Sequence, residues 1–234
     1  MAGFANGLAR VLSKRGFCSR AEARDLIRAG KVRVDGRVIR EPDVAIKPDA
    51  KIAVDGFTGE RSKKVYLILN KPRGLVTTTS DEHGRETVYE CFAGAKLPRI
   101  VPVGRLDKAS EGLLLFTNDN DWAARVTDPD SKVPKTYHVQ IDRVADADLI
   151  AQIKAGKEFP VRDAQILRTG ERNSWLEIVL DEGKNRHIRR LLEAFDIEVL
   201  RLIRIRIGAL ELGALPKGQW RHLTADEQRR IFNP

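Results

Sequence analysis

Cysteine is nearly missing from this 234-residue sequence. Cys18 and Cys91 have no metal-ligand spacing and cannot build a disulfide framework, so two buried reduced thiols are expected, with a single bridge as the alternative. Long apolar runs are missing too. Stretches such as Leu113 to Phe116 fall far below the ~20 residues of a membrane span, and MAGFANGLARVLSKRG has no apolar core of signal-peptide length. His83, His138, His187 and His222 are scattered, and no His, Cys or carboxylate set has ligand spacing, so no metal is expected. There is no P-loop, no dinucleotide-binding glycine fingerprint and no nucleophile elbow, which disfavours nucleotide-cofactor folds. Neither a repeat of 20–50 residues nor a low-complexity segment occurs.

Acidic residues are the scarcer charge: 33 Asp and Glu against 42 Lys and Arg, a net +9. Such a balance points to a polyanion, either nucleic acid or an acidic membrane surface. The membrane reading lacks a basic amphipathic helix with large apolar residues opposite the charge. With 42% hydrophobic and 32% charged residues the chain can bury a core. The expected protein is soluble, cytoplasmic and directed at nucleic acid.

The charge is concentrated. Residues 1–40 hold ten basic and three acidic side chains, seven of the nine net charges. Leu8, Val11 and Leu12 fall at helical spacing, with Gly16 where a helix stops. Ser19 and Glu22 form a capping box that opens a second helix, running through Ala29 and closed by Gly30. Arg20, Arg24 and Arg28 recur every four residues on one face of it. Val32, Val34, Val38 and Ile39 flank Asp35-Gly36, a two-residue hairpin turn. An arginine stripe alone is usually a solvated face, but the neighbouring loops are basic as well, which favours phosphate contact.

The string LARVLSKRGFCSRAEARDLIRAGKVRVDGRVI resembles the αL RNA-binding motif, named after a small-subunit ribosomal protein. The resemblance implies an RNA surface of Arg10, Lys14, Arg15, Ser19, Arg20, Arg24 and Arg28, with Lys31 and Arg33 behind. It predicts a domain over 1–56 that binds structured RNA and leaves the chemistry open.

Residues 57–64, FTGERSKK, read as a linker. Beyond it, strands are expected at Val65–Leu69, Ile100–Val103, Leu113–Phe116, Tyr137–Ile141, Ala164–Leu167, Trp175–Leu180 and Leu200–Ile207. Helices are expected at Asn120–Val126, Asp146–Ala155, Asn185–Phe195 and Thr224–Ile231. The two types mix without strict alternation. That predicts an α+β domain over 65–234 around a mostly antiparallel mixed sheet.

Two segments could carry chemistry. In VPVGRLDKASEGLLLF (101–116), Asp107 sits between Arg105 and Lys108 on a strand-flanked loop, where nearby cations favour the carboxylate. By spacing alone the plainer reading, an aspartate that turns a hairpin, is the stronger. In GKNRHIRRLL (183–192), Asn185 is a candidate N-cap and Arg186 and Arg190 share a face. Downstream, Arg204 and Arg206 alternate with isoleucines and should emerge on one sheet face, either as solubilising surface or as a basic cleft.

NKPRG (70–74), VGRLDKASEGLLLFTND (103–119), KTYHV (135–139), GKNRHIRRLL (183–192) and RLIRIRIG (201–208) together resemble the RsuA/RluB/RluE/RluF family of pseudouridine synthases, in order and spacing, with the αL module in front. The resemblance implies isomerisation of a uridine in ribosomal RNA, with Asp107 the essential carboxylate, Tyr137 stacked on the target uracil and Arg189 paired with the carboxylate. It further implies that Leu191 or Leu192 shapes the uracil pocket, that Arg105 orients RNA or braces the active-site loop, and that Leu106 contacts substrate. Lys71, Arg73, Lys135 and Arg186 are the expected substrate contacts, Lys71 and Arg73 through phosphate, with ordinary turn chemistry of Lys-Pro-Arg-Gly as the alternative. His187 stands where members often carry Gln, and either touches substrate or packs. No cofactor, metal or external energy source is implied. The large-subunit RNA is favoured over the small, as free RNA or in an assembly intermediate, with the protein a monomer. The competing reading is a non-catalytic RNA-binding assembly factor.

Overall fold

The computed structural model describes residues 7–47, 49–55, 63–79, 81 and 83–232. Most of the expected 57–64 linker, and Gly56 beside Asp55, lie outside the described residues. By its contacts the chain divides into two compact units, 1–64 with 119–121, and 65–118 with 122–234. Among the described residues no helix is long and apolar enough to cross a membrane.

The first unit is small and buries a correspondingly small core. Helix α1 (Leu8–Lys14) ends at Arg15, and Gly16 takes the positive φ of +80° that lets the chain turn. Helix α2 (Arg20–Arg28) starts at Ser19, whose hydroxyl accepts from Glu22 N while Glu22 returns a bond to Ser19 N. Strands β1 (Val32–Val34) and β2 (Arg37–Ile39) pair antiparallel across Asp35-Gly36, both at positive φ as a tight hairpin turn requires. A third strand, β3 (Ile52–Val54), pairs with the other edge of β1. Leu8, Leu12, Ala23, Ile27 and Val32 fill the centre, fully buried.

The second unit is built on a nine-stranded sheet, with β4 (Tyr66–Lys71), β5 (Val101–Val103), β6 (Glu111–Thr117), β7 (Lys135–Ile141), β8 (Asp163–Thr169), β9 (Ser174–Leu180), β10 (Val199–Ile207), β11 (Leu210–Glu211) and β12 (Trp220–His222). The order is β12-β4-β6-β10-β7-β9-β8, with β11 on β10 and β5 on β6. Only β6 and β10 run parallel; every other pair is antiparallel. The sheet is therefore mixed and mostly antiparallel, as expected. The short strands β3, β11 and β12 are not among the expected ones.

Helices flank both faces. On one, α4 (Ala147–Ala155), α5 (His187–Glu193) and a short 3-10 turn, Val88–Phe92, cover Leu67, Leu69, Leu114, Phe116, Tyr137, Val139, Leu176 and Ile178. On the other, Trp122 and Val126 of α3 (Asn120–Thr127) and Ile231, just after α6 (Ala225–Arg230), cover Ile68, Leu113 and Leu115. Alternation along β4 and β6 divides their side chains between the two cores.

Several expectations are corrected. The helix expected from Asn185 begins at His187. Its N-cap is Arg186 in a left-handed conformation, φ +52°, and no side chain caps it. Arg204 and Arg206 do not share a face. A bulge between them pairs Arg204 with Tyr137 and Arg206 with Thr136, neighbours that point to opposite sides. Both cysteines are reduced thiols, and both are half-buried rather than buried.

Candidate active site

Asp107 lies on the loop that joins β5 to β6, and the main chain of that loop is bonded residue by residue. Leu106 O accepts from Thr77 Oγ1 at 2.7 Å, and Lys108 O accepts from Gly74 N at 2.8 Å. Ala109 O accepts from Arg189 Nη2 at 3.4 Å. Asp107 O and Ser110 O both accept from Lys71 Nζ, at 3.3 and 2.9 Å, and Ser110 N closes a turn back onto Asp107 O at 2.9 Å. Five successive carbonyls are thus satisfied by groups outside the loop. A loop so accounted for has little freedom to reorient its one carboxylate. Among the described residues that carboxylate makes no hydrogen bond or ion pair, and Asp107 is half-exposed.

Lys71 is the centre of this arrangement and departs from its expected role. The side chain is 0% exposed, and its three protons go to Pro72 O, Asp107 O and Ser110 O. With no donor left and no access to solvent, it cannot take a substrate phosphate. Burial pulls its pKa down to about 8, with Asp107 the leading opposing charge. Arg73 is exposed at the turn that follows and remains able to meet phosphate.

Arg189 projects from α5 towards the same loop. Its Nη1 donates to Val199 O at 3.3 Å and its Nη2 to Ala109 O, while Nε is buried with no partner among the described residues. No ion pair joins it to Asp107 among the described residues, so the direct pairing implied by the sequence resemblance is not made here. Burial lowers the guanidinium pKa, the Arg186 charge adds to that, and Asp107 opposes both. Arg73 also lowers it, so Asp107, Arg189, Arg186 and Arg73 share one electrostatic neighbourhood.

Apolar residues adjoin the loop. Leu106, Tyr137, Ile188, Leu191 and Leu192 all belong to the core cluster on this face of the sheet, with Tyr137 8% exposed. Lys135 is half-buried, with Nζ 3.3 Å from Asp181 O, and burial followed by the Arg204 charge lowers its pKa. Arg204 itself is buried, and its Nε donates to Leu113 O at 2.7 Å. Arg105 and Arg186 are exposed. His187 is 3% exposed and meets the Phe159 ring edge-on at 5.5 Å, which is packing. Thr77, which grips Leu106, carried no sequence signal. Among the described residues no group of three or more His, Cys, Asp or Glu could hold a metal ion.

In the first unit, Arg10, Lys14, Arg20, Arg28, Lys31 and Arg33 are exposed. Three others expected on the RNA surface have structural duties. Arg15 donates to Ala50 O at 2.8 Å, Ser19 caps α2, and Arg24 pairs with Asp43 at 3.0 Å.

Residues 65–194 match the family model for RNA pseudouridylate synthases, and residues 7–52 match that for the S4 domain. An uncharacterized RNA pseudouridine synthase of Rickettsia prowazekii (strain Madrid E) is 40% identical over 93% of this chain and 94% of its own length. The ribosomal large subunit pseudouridine synthase B of Bacillus subtilis (strain 168) is 34% identical over 96% of this chain and 94% of its own. A crystal structure of a pseudouridylate synthase superposes with a TM-score of 0.67 at 26% identity, covering 97% of this chain and 99% of that one.

Proposed function

This chain belongs to the RNA pseudouridine synthase family, which isomerises uridine to pseudouridine in RNA, and we propose that its substrate is a uridine of large-subunit ribosomal RNA and its catalytic carboxylate is Asp107. The similarity to the Bacillus subtilis large-subunit enzyme supports the choice of RNA. One observation supports the choice of carboxylate most directly. Asp107 sits on a loop whose five successive carbonyls are all taken up, yet its own side chain is left unbonded.

The reaction breaks the bond from uracil N1 to the ribose, turns the base, and joins carbon 5 to the ribose instead. No atom is lost from the nucleoside as a whole; a proton leaves carbon 5 and one is gained at N1. A fixed carboxylate serves such a step as nucleophile or base because its orientation is set before substrate arrives. The Tyr137 ring offers a face for the uracil once it leaves the RNA stack, and Leu106, Leu191 and Leu192 exclude water behind it. Arg189, Arg186 and Arg73 supply positive charge beside Asp107, where the RNA backbone must pass. Arg10, Lys14, Arg20 and Arg28 of the S4 domain take phosphates elsewhere on the RNA, without reading its sequence. The protein acts as a monomer in the cytoplasm.

Tritium release from ribosomal RNA labelled at carbon 5 of uracil tests this directly, with large- and small-subunit RNAs offered separately. Release from the large-subunit RNA by the wild type, and none by Asp107→Asn, is expected. Release from the small-subunit RNA alone would overturn the choice of RNA. No release from either RNA or from partly assembled particles, with binding retained, would favour a non-catalytic assembly factor.

A further inference from the structure

Glu111 is the first residue of β6 and directly follows the Asp107 loop. It is 2% exposed, and three charged donors surround its carboxylate. Arg201 Nε donates to Oε1 at 3.1 Å and Arg201 Nη2 to Oε2 at 3.2 Å; the Lys217 ammonium pairs with Oε2. Burial pushes the carboxyl pKa up, and the two cations outweigh it, leaving the group below its ordinary value.

The partners come from distant parts of the chain. Arg201 belongs to β10, which pairs with β6 in parallel at Glu111 and Gly112. Lys217 belongs to the segment between β11 and β12, and that segment is also stitched to Asn70, the residue before Lys71. Asn70 Nδ2 donates to Leu215 O at 2.7 Å, Gly218 N donates to Asn70 O at 2.8 Å, and Asn70 N donates to Gln219 O at 3.0 Å. One short segment therefore grips β4 just before Lys71, whose ammonium bonds the Asp107 loop, and β6 just after Ser110, where that loop ends.

We propose that Glu111 is a positioning residue for the isomerisation, latching the Asp107 loop to the 212–219 segment through Lys217 and to β10 through Arg201. The inference rests on the reading of Asp107 as the reacting group. A buried ion pair adds little net stability over an apolar replacement, but its directional bonds fix one geometry. That geometry is needed at the point where a loop with a reactive side chain joins a strand. Lys217 is 57% exposed at its side chain, so removing its charge spares the core and makes it the cleaner variant.

The full-length protein carrying Lys217→Met, Lys217→Arg or Glu111→Gln is compared with the wild type by steady-state tritium release, by melting temperature and by hydrogen exchange of the 107–112 amides. For Lys217→Met and Glu111→Gln, kcat is expected to fall about 10- to 100-fold with KM for RNA changed by less than about twofold. Exchange at 107–112 is expected to quicken by about tenfold. Lys217→Arg, which keeps the charge, should restore most of both. Unchanged exchange at 107–112 in both charge-removing variants overturns the latch, whatever happens to turnover. A KM that rises in step with the loss of kcat also overturns it, because Lys217 would then be an RNA contact. So does activity lost only in proportion to unfolded protein. A wild type that turns over no ribosomal RNA would instead remove the proposed function, and the exchange comparison would still decide the latch.

Discussion

Lys71 holds Asp107 by its main chain and not by its carboxylate. The ammonium lies 3.3 Å from Asp107 O, with Pro72 O and Ser110 O as its other acceptors, so the cation shapes the loop and leaves the side chain open. The obvious inference from an NKPRG turn, a lysine waiting for phosphate, fails because the strand continues to Lys71 and turns its side chain inward.

Replacing Lys71 with Met removes three bonds at once and strands Pro72 O and Ser110 O, while Asp107 O keeps its bond from Ser110 N. At roughly 1–3 kcal/mol for an unsatisfied buried group, partly relieved by relaxation, the expected loss is about 2–4 kcal/mol. Chemical denaturation measures it. A loss under about 0.5 kcal/mol would mean that the three bonds matter little to the fold.

The lowered pKa of Lys71, about 8 against an ordinary 10.5, makes a pH prediction with a definite sign. Between those values the unfolded chain binds more protons than the folded one. The burial cost is therefore present in full below pH 8 and is relieved as pH rises towards 10.5, so this group alone makes stability increase there. The neutral amine, however, has two protons for three carbonyls. The expected profile is an alkaline fall in kcat centred near pH 8 with no matching fall in melting temperature. Lys71→Arg, which stays charged, should lack that limb in whatever activity it retains.

Asp107→Asn is nearly isosteric and disturbs none of the carbonyls that fix the loop. Turnover should fall by about a thousandfold or more while RNA affinity stays within about threefold. Filter binding at fixed salt checks the second half, and a large affinity loss would mean that the carboxylate also organises the RNA site.

The stripe on α2 is not uniform. Arg20 and Arg28 are exposed, whereas Arg24 is half-buried and paired with Asp43. Arg20→Gln with Arg28→Gln should reduce the slope of log affinity against log salt by about 1.5–2, and adding Arg24→Gln should change it little further. A slope unmoved by all three would take this helix away from the RNA.

Gly112 sits at φ +99°, and a Cβ there would overlap Arg204 O on the adjacent strand. Gly112→Ala should cost about 2–4 kcal/mol, through backbone strain and forced separation of β6 from β10. Thermal unfolding decides it; a shift within error would mean that the two strands part readily.

What the sequence disclosed depended on whether the cause was local. The Ser19–Glu22 box, the Asp35-Gly36 hairpin and the apolar runs of β4, β6 and β9 are set by neighbours a few residues apart, and each appeared where expected. The loop around Asp107 was findable by motif, but its hold was not, because Thr77, Lys71 and Arg189 reach it from 29, 36 and 80 residues away. The shared face expected of Arg204 and Arg206 failed for a related reason. A bulge answers to the partner strand, and a strict alternation of residue types cannot announce it.

The pairing of β12 with β4 bears on how the protein is made. β4 is the first strand of its sheet and β12 the last, and Leu67, Ile68 and Leu69 meet His222, Arg221 and Trp220. During synthesis one edge of β4 stays unpaired until nearly the whole unit has left the ribosome. Closing a loop of that length places the step late and makes it slow, with an apolar strand open to wrong partners in the meantime. A nascent chain stalled before Trp220 should therefore need a chaperone, because its sheet still lacks the strand that closes the edge of β4.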